Sequence, residues 1–261
     1  MKKNLYYKTV YGRSNVLKNS ILAFFFAFSS YPRLLLEVFI RKNFGERYFS
    51  FMSAITITIL LSIFPFISAG ISQMLSFGGY GSSFDFGDLF QHYFTWYLFL
   101  IAFMYKSMER DEEVKRLPSV FDFARFSLST GERHPRILDF KWKGKSLDIR
   151  QVETLVEPGL FFFIGLFLML IGQRVGTLLV ICSIFYSLSY VAAYMIGDHF
   201  IMDKIDELIL SEELVESFVE GRDSSETRGV SIYGRRPTDP ETRRKLAEMF
   251  IEDTEETVVA R

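Results

Sequence analysis

Apolar residues fall in blocks along this chain, and the charged residues crowd into the stretches between them. Ser50 to Ser76, Leu89 to Tyr105 and Val175 to Gly197 contain no Asp, Glu, Lys or Arg. A helix needs about 20 mostly apolar residues to cross the hydrocarbon layer, so each run predicts a transmembrane helix. A fourth run, Pro158 to Gln173, has only 16 residues but holds Leu160 to Ile164 and Leu166 to Ile171 without a charge. Gly172 to Gly176 joins it to the last run, predicting a membrane hairpin. Tyr93, Trp96, Tyr105, Tyr190 and Tyr194 sit near run ends, where an interfacial aromatic belt is expected.

The stretch before these runs reads differently. Asn19 to Tyr31 is uncharged for 13 residues and is then interrupted by Pro32 and Arg33. Arg33, Glu37 and Arg41 follow at i, i+4 and i+8, with leucines and Phe39 on the opposite side. That pattern predicts an amphipathic helix lying in the membrane surface. The expected fold class is an all-α integral membrane protein with four transmembrane helices in two hairpins and an N-terminal interfacial amphipathic helix. A small cytoplasmic loop domain with a β-hairpin signal and a helical cytoplasmic tail complete it.

Lys and Arg are retained on the cytoplasmic side of short connections. Residues 77–88 carry none, and the short connection at 172–176 carries only Arg174, whereas Lys106 to Arg150 contains 11. Residues 1–49, the loop at 106–157 and the tail therefore face inward, which gives a multi-pass protein of the bacterial inner (cytoplasmic) membrane with both termini cytoplasmic. Spans are expected at 50–76, 89–105, 158–173 and 175–197.

In the inner loop, Ser119 to Leu128 predicts a short helix. Lys143-Gly144 between two alternating stretches predicts a hairpin. Simple alternation puts Lys141, Lys143 and Lys145 on one side, a candidate contact for anionic lipid or an acidic partner. After the last span, residues 198–221 read as an acidic helix stopped by Gly221, continuous with the span and, from Gly176 to Glu220, roughly 65 Å long. Its acids are candidates for docking the basic inner loop. Residues 222–261 read as a linker and a second helix, with Asp239 as N-cap and Pro240 in the first turn. That helix either binds a partner or packs on the chain's own soluble part.

Composition narrows function mainly by exclusion. The chain has 261 residues and a formal charge of −1, so bulk basicity gives no case for nucleic acid. Cys182, alone of its kind, cannot form an intramolecular disulfide and suits apolar packing. His199 and Asp203 lie one helical turn apart, but two side chains do not make a metal site. No nucleophile elbow, phosphate loop or paired-cysteine pattern occurs, so no catalytic residue, cofactor or metal is expected. Thr58, Ser62, Ala69 and Ser72 recur at helical intervals, as do Ser189, Ala193 and Gly197, a spacing suited to close helix packing within the chain or between subunits. The expectation is a non-enzymatic membrane subunit that anchors a multi-protein assembly, such as a secretion or conjugation machine. Its expected partners are lipids and other subunits or copies of itself. The alternative is an oligomeric pore or carrier around the Thr58 stripe.

Overall fold

The computed structural model describes residues 16–75, 86–115, 126–138, 141–142 and 145–259. The chain divides into two compact units, one of residues 20–193 and one of residues 1–19 with 194–261. Its elements are α1 (Val16–Ile40), α2 (Phe51–Leu75), α3 (Phe86–Val114), α4 (Pro135–Leu138), β1 (Lys141–Trp142), β2 (Lys145–Ser146) and α5 (Ile149–Gln151). A π-helical turn, Val152–Val156, leads into α6 (Glu157–Leu170), followed by α7 (Arg174–Leu214), a second π-helical turn (Val215–Glu220) and α8 (Pro240–Val259).

Among the described residues four segments are long and apolar enough to cross a membrane: Ser20–Ile40, Phe51–Ser68, Ile149–Leu170 and Arg174–Glu220. The fold is accordingly that of an all-α membrane protein with one small β-hairpin. Three of the four coincide with the expected spans, although the third begins at Ile149 instead of Pro158. The fourth place goes to the N-terminal segment. α3 is 29 residues long but is not among them, because Gln91, His92 and Thr95 dilute its apolar stretch.

α1 runs without interruption through Pro32. Proline removes the N–H that would bond to the carbonyl four residues back. Around it, the hydroxyls of Ser29 and Ser30 donate to the carbonyls of Phe26 and Ala27 at 3.4 and 2.7 Å. The expectation of a surface helix with a solvated charged stripe fails on burial, since Glu37 and Arg41 are 1% and 0% exposed. The stripe faces the chain, and the leucines beside it, Leu34, Leu35 and Leu36, are buried as well; the exposed apolar residues, Leu17, Ile21, Phe24 and Phe28, lie in the N-terminal half of the helix. Phe25 and Phe28 meet Phe185, Arg33 meets Ser189 and Glu37 meets Tyr190. These contacts of α1 with α7 gather at Phe185 to Tyr190.

α2 and α3 form an antiparallel pair set by a second proline. Pro65 frees the carbonyl of Leu61, and the indole of Trp96 donates to it at 2.9 Å. The Tyr97 hydroxyl donates to the Ser62 carbonyl at 3.2 Å, and the hydroxyls of Ser68 and Tyr93 are 2.9 Å apart. Trp96, with Leu100 and Val175, is therefore buried in a core cluster instead of standing in an aromatic belt. Tyr105, 67% exposed, remains suited to one.

α6 and α7 turn at Gly172, whose φ of 83° is a left-handed conformation. Below the turn, a Cβ on Gly176 would lie 2.5 Å from the Gly165 carbonyl oxygen, so the two helices approach backbone to backbone. The small-residue contact of this fold is this glycine pair. Ser189 is buried in a polar cluster, whereas Ala193 is exposed and a Cβ on Gly197 would meet nothing within 4 Å, so neither is packed among the described residues.

The C-terminal helix packs on the chain itself. Leu214, Phe218 and Ala247 form a buried cluster with Val219, Ile232 and Leu246 around it. Gly221 (φ 79°) ends the second π turn, and Asp239 caps α8 by accepting the Thr242 N–H at 2.9 Å. The acids before Gly221 are paired locally, Glu212 and Glu213 with Arg228, and Glu216 and Glu220 with Arg222.

Candidate functional site: a buried ionic network

The ends of α1 and α6 and the middle of α7 enclose a cluster of charges. Arg41 lies at its centre, fully buried. Its Nε and Nη2 reach Glu157 Oε2 at 3.1 and 2.5 Å, Nη2 reaches Glu153 Oε1 at 3.1 Å, and Nη1 donates to the Tyr190 hydroxyl at 2.5 Å and to the Thr130 carbonyl at 3.4 Å. Arg133 joins from the other side, its Nη2 2.7 Å from Glu153 Oε1. The Tyr186 hydroxyl donates to Glu157 Oε2. Glu37 accepts from Tyr190 at 2.6 Å on Oε1 and from Tyr48 at 2.6 Å on Oε2, and its Oε1 lies 3.3 Å from Arg33 Nε. Three arginines thus face three glutamates, and tyrosine hydroxyls bridge the rows.

Local structure explains why these groups meet. Residues i and i+4 share a helix face, which aligns Arg33, Glu37 and Arg41 on α1 and Tyr186 with Tyr190 on α7. Glu153 and Glu157 are held by the π-helical turn, whose wider winding bonds the Glu157 N–H to the Val152 carbonyl. It turns both carboxylates towards Arg41. Aromatic faces complete the cage, with the Arg41 guanidinium 4.8 Å from the Tyr190 ring centre and that of Arg33 4.9 Å from the same ring.

An extended segment fastens the α1–α2 connection beside the network. Lys42 exchanges backbone hydrogen bonds with Glu132 at 3.2 and 2.6 Å, and Gly45 and Arg47 donate to Ser129 and Ser127. A Cβ on Gly45 would lie 2.3 Å from the Ser127 carbonyl oxygen, so glycine is what admits this strap. Phe126 to Leu128 are not helical, which corrects the end of the expected Ser119–Leu128 helix; residues 119–125 lie outside the described ones. On α3, the buried Arg110 pairs with Glu109 and Glu113, and Glu113 accepts the Asn43 N–H at 3.0 Å, tying α3 to the same connection.

The network is buried at its centre and borders a cavity at one edge. Glu157 Oε2 takes three donors while buried Oε1 has no hydrogen-bond partner. Between the end of α1 and the start of α2 lies a cavity of about 170 Å³ lined by Arg33, Glu37, Tyr48, Tyr31, Ser50 and Ser53, among others. Burial, followed by the nearby Glu37 charge, pushes the Tyr48 phenol well above its usual range. It therefore remains a donor to that carboxylate.

The residues singled out from sequence lie elsewhere. Lys141 pairs with Ser146 and Trp142 with Lys145. Directly paired residues occupy one face of a two-stranded ribbon, so Lys141 and Lys145 fall on opposite faces. Alternation had placed them together because it ignored the reversal at the turn. Lys143 lies outside the described residues. Thr58 and Ser62 direct their hydroxyls back to the carbonyls of Ala54 and Ile59, each at 2.8 Å. The side chains of Ala69 and Ser72 lie outside the described part. Among the described residues no group of three or more His, Cys, Asp or Glu side chains is placed to hold a metal ion.

Sequence reasoning missed the network because it treated each i, i+4 pair as the edge of its own segment. The retrievable signal was three such patterns, Arg33-Glu37-Arg41, Glu153-Glu157 and Tyr186-Tyr190, all within or bordering apolar runs, where an ionisable group needs a partner. No protein-family model, curated protein or solved structure matches the chain.

Proposed function

We propose that the chain is a non-enzymatic integral subunit of a multi-protein assembly in a bacterial inner membrane, with its helices as anchor and its inner segments recruiting partners. A secretion or conjugation machine of the envelope is a suitable setting. The observation that carries this reading is the tail. Instead of trailing as a loose peptide, residues 214–247 gather a small core of their own, while Tyr233 and Met249 stand 63% and 62% exposed among exposed charges such as Arg244, Lys245 and Glu248. A preformed surface with exposed aromatic and methionine side chains among charges suits protein recognition. Charge-paired Arg41 and its glutamates suit the anchor, because a neutral, hydrogen-bonded cluster fixes the helix crossings without offering a reactive group.

Both termini are placed on the cytoplasmic side, as the distribution of Lys and Arg favours.

Affinity purification of the tagged full chain in mild detergent, compared with a chain ending at His199, tests the proposal by mass spectrometry. Stoichiometric partners present with the full chain and absent after truncation are expected. A homogeneous self-oligomer, free of partners and unaffected by the truncation, overturns it.

A further inference from the structure

The cavity between α1 and α2 borders the ionic network and opens onto one of its members, Arg33. Arg33 has a 15% exposed side chain on the cavity wall. Its guanidinium is fixed by the Tyr48 hydroxyl at 2.5 Å and the Ser189 hydroxyl at 3.4 Å, and by the rings of Tyr48 and Tyr190. Those contacts use two of five N–H donors, and Nε, although 3.3 Å from Glu37, makes no hydrogen bond. A guanidinium held rigid with donors to spare is suited to bidentate recognition of a phosphate group. Ser50 and Ser53 supply hydroxyls on the opposite wall. Glu37 also lines the cavity, but its oxygens receive the Tyr48 and Tyr190 hydroxyls and face Arg33.

Position decides which phosphate. The cavity lies between the C-terminal half of one segment long enough to span, Ser20–Ile40, and the start of another, Phe51–Ser68; the start of a spanning segment is where headgroups meet the hydrocarbon layer. From Tyr31 on its rim an exposed stripe runs up α1 through Phe28 and Phe24, whose rings stack at 6.4 Å. An acyl chain needs such a track and a soluble phosphate does not.

We propose that this cavity seats the phosphodiester of a membrane phospholipid, gripped by Arg33 with the hydroxyls of Ser50 and Ser53, while an acyl chain lies along Tyr31, Phe28 and Phe24. Lipid bound there would fill the gap between α1 and α2, independently of any partner on the tail.

The test titrates palmitoyl-oleoyl phosphatidylglycerol, phosphatidylethanolamine and, separately, inorganic phosphate into the full chain in maltoside micelles, with native mass spectrometry as readout. Two variants accompany the wild type. Ser53→Leu fills the cavity and leaves every network contact in place, and Arg33→Lys keeps the charge but loses the planar fork. One tightly held lipid is expected in the wild type with either headgroup, weakened about tenfold by Ser53→Leu and several-fold by Arg33→Lys, in keeping with loss of a charge-assisted bidentate contact. Lipid retention identical in all three proteins overturns the proposal. So does saturable inorganic phosphate binding that displaces the lipid, which would make the cavity a site for soluble phosphate.

Discussion

Arginine and glutamate meet in two regions of this protein, and the same chemistry has opposite weight in each. Around Arg41 the partners are 0–4% exposed. Around Arg228 they include Glu212, with both side chains about half exposed at 52% and 50%. In the first region an unpaired charge would face a medium with little water to solvate it; in the second, water replaces a lost partner almost fully. Drawn contacts look alike at 2.5–3.1 Å. Burial, and not geometry, tells which pairs matter.

The largest effect should therefore come from breaking the first region. Arg41→Ala leaves Glu153 and Glu157 without their common cation, and removal of one partner of a buried pair costs roughly 3–5 kcal/mol. The expected result is a large fall in the thermal midpoint in detergent. Arg41→Met combined with Glu157→Gln should recover part of it, because replacing both sides is milder than orphaning one. Equal midpoints for Arg41→Ala and wild type would show that water reaches the cluster.

Next in size, Phe218→Ala removes the largest side chain of the tail cluster, 7% exposed. A Phe→Ala change in a core costs about 3 kcal/mol or more, so hydrogen-exchange protection of α8 should collapse while that of α2 and α3 stays as it was. Loss of protection throughout the chain would mean that the two regions unfold together.

Trp96→Phe ranks third. It strands the Leu61 carbonyl that Pro65 frees, a buried polar group worth about 1–3 kcal/mol. In a Pro65→Ala background the helix can satisfy that carbonyl itself. The cost of Trp96→Phe should then shrink, and a double-mutant cycle in thermal unfolding reads the coupling directly. Additive costs would show that the indole contributes by packing alone.

Three of the four membrane runs were legible because the cost of burying a charge in hydrocarbon acts on composition, which any window of sequence displays; Ser20–Ile40 was not, because Arg33 and Glu37 interrupt it. Gly172, Gly221 and Asp239 were legible for a similar reason, since turn and cap chemistry is local. α8 continues to Val259, an end that no terminator in the sequence marks, because helix ends depend on weak local terms. The network was hidden, since Arg41 and Glu157 are 116 residues apart and neither carries a mark of its partner. Arg33, Glu37 and Arg41 looked like a wet face because periodicity reports that a helix has two sides, not which side meets water. In α1 both sides of that stretch are covered: Glu37 and Arg41 are buried, and so are Leu34, Leu35, Leu36 and Val38.

The smallest effect belongs to the exposed region and carries a sign. Asp239 is held below the usual carboxylate range, first by the Thr242 hydroxyl and then by the N–H groups of Thr242 and Glu241. A carboxyl depressed by folding stabilises α8 fully above its unfolded value of about 4 and loses that contribution as pH falls through the lower folded value. Exchange protection in the first turns of α8 should thus be flat from neutral pH to about 5 and decline below about 4. Asp239→Asn retains a capping side chain without the titrating charge, so its profile should be flatter in acid and similar at neutral pH. Arg228→Ala should leave the profile unchanged, because Arg228 pairs at the surface and takes no part in the cap. If Arg228→Ala instead reproduced the acid loss, surface pairing would contribute to the tail what burial contributes around Arg41, and the contrast between the two regions would be wrong.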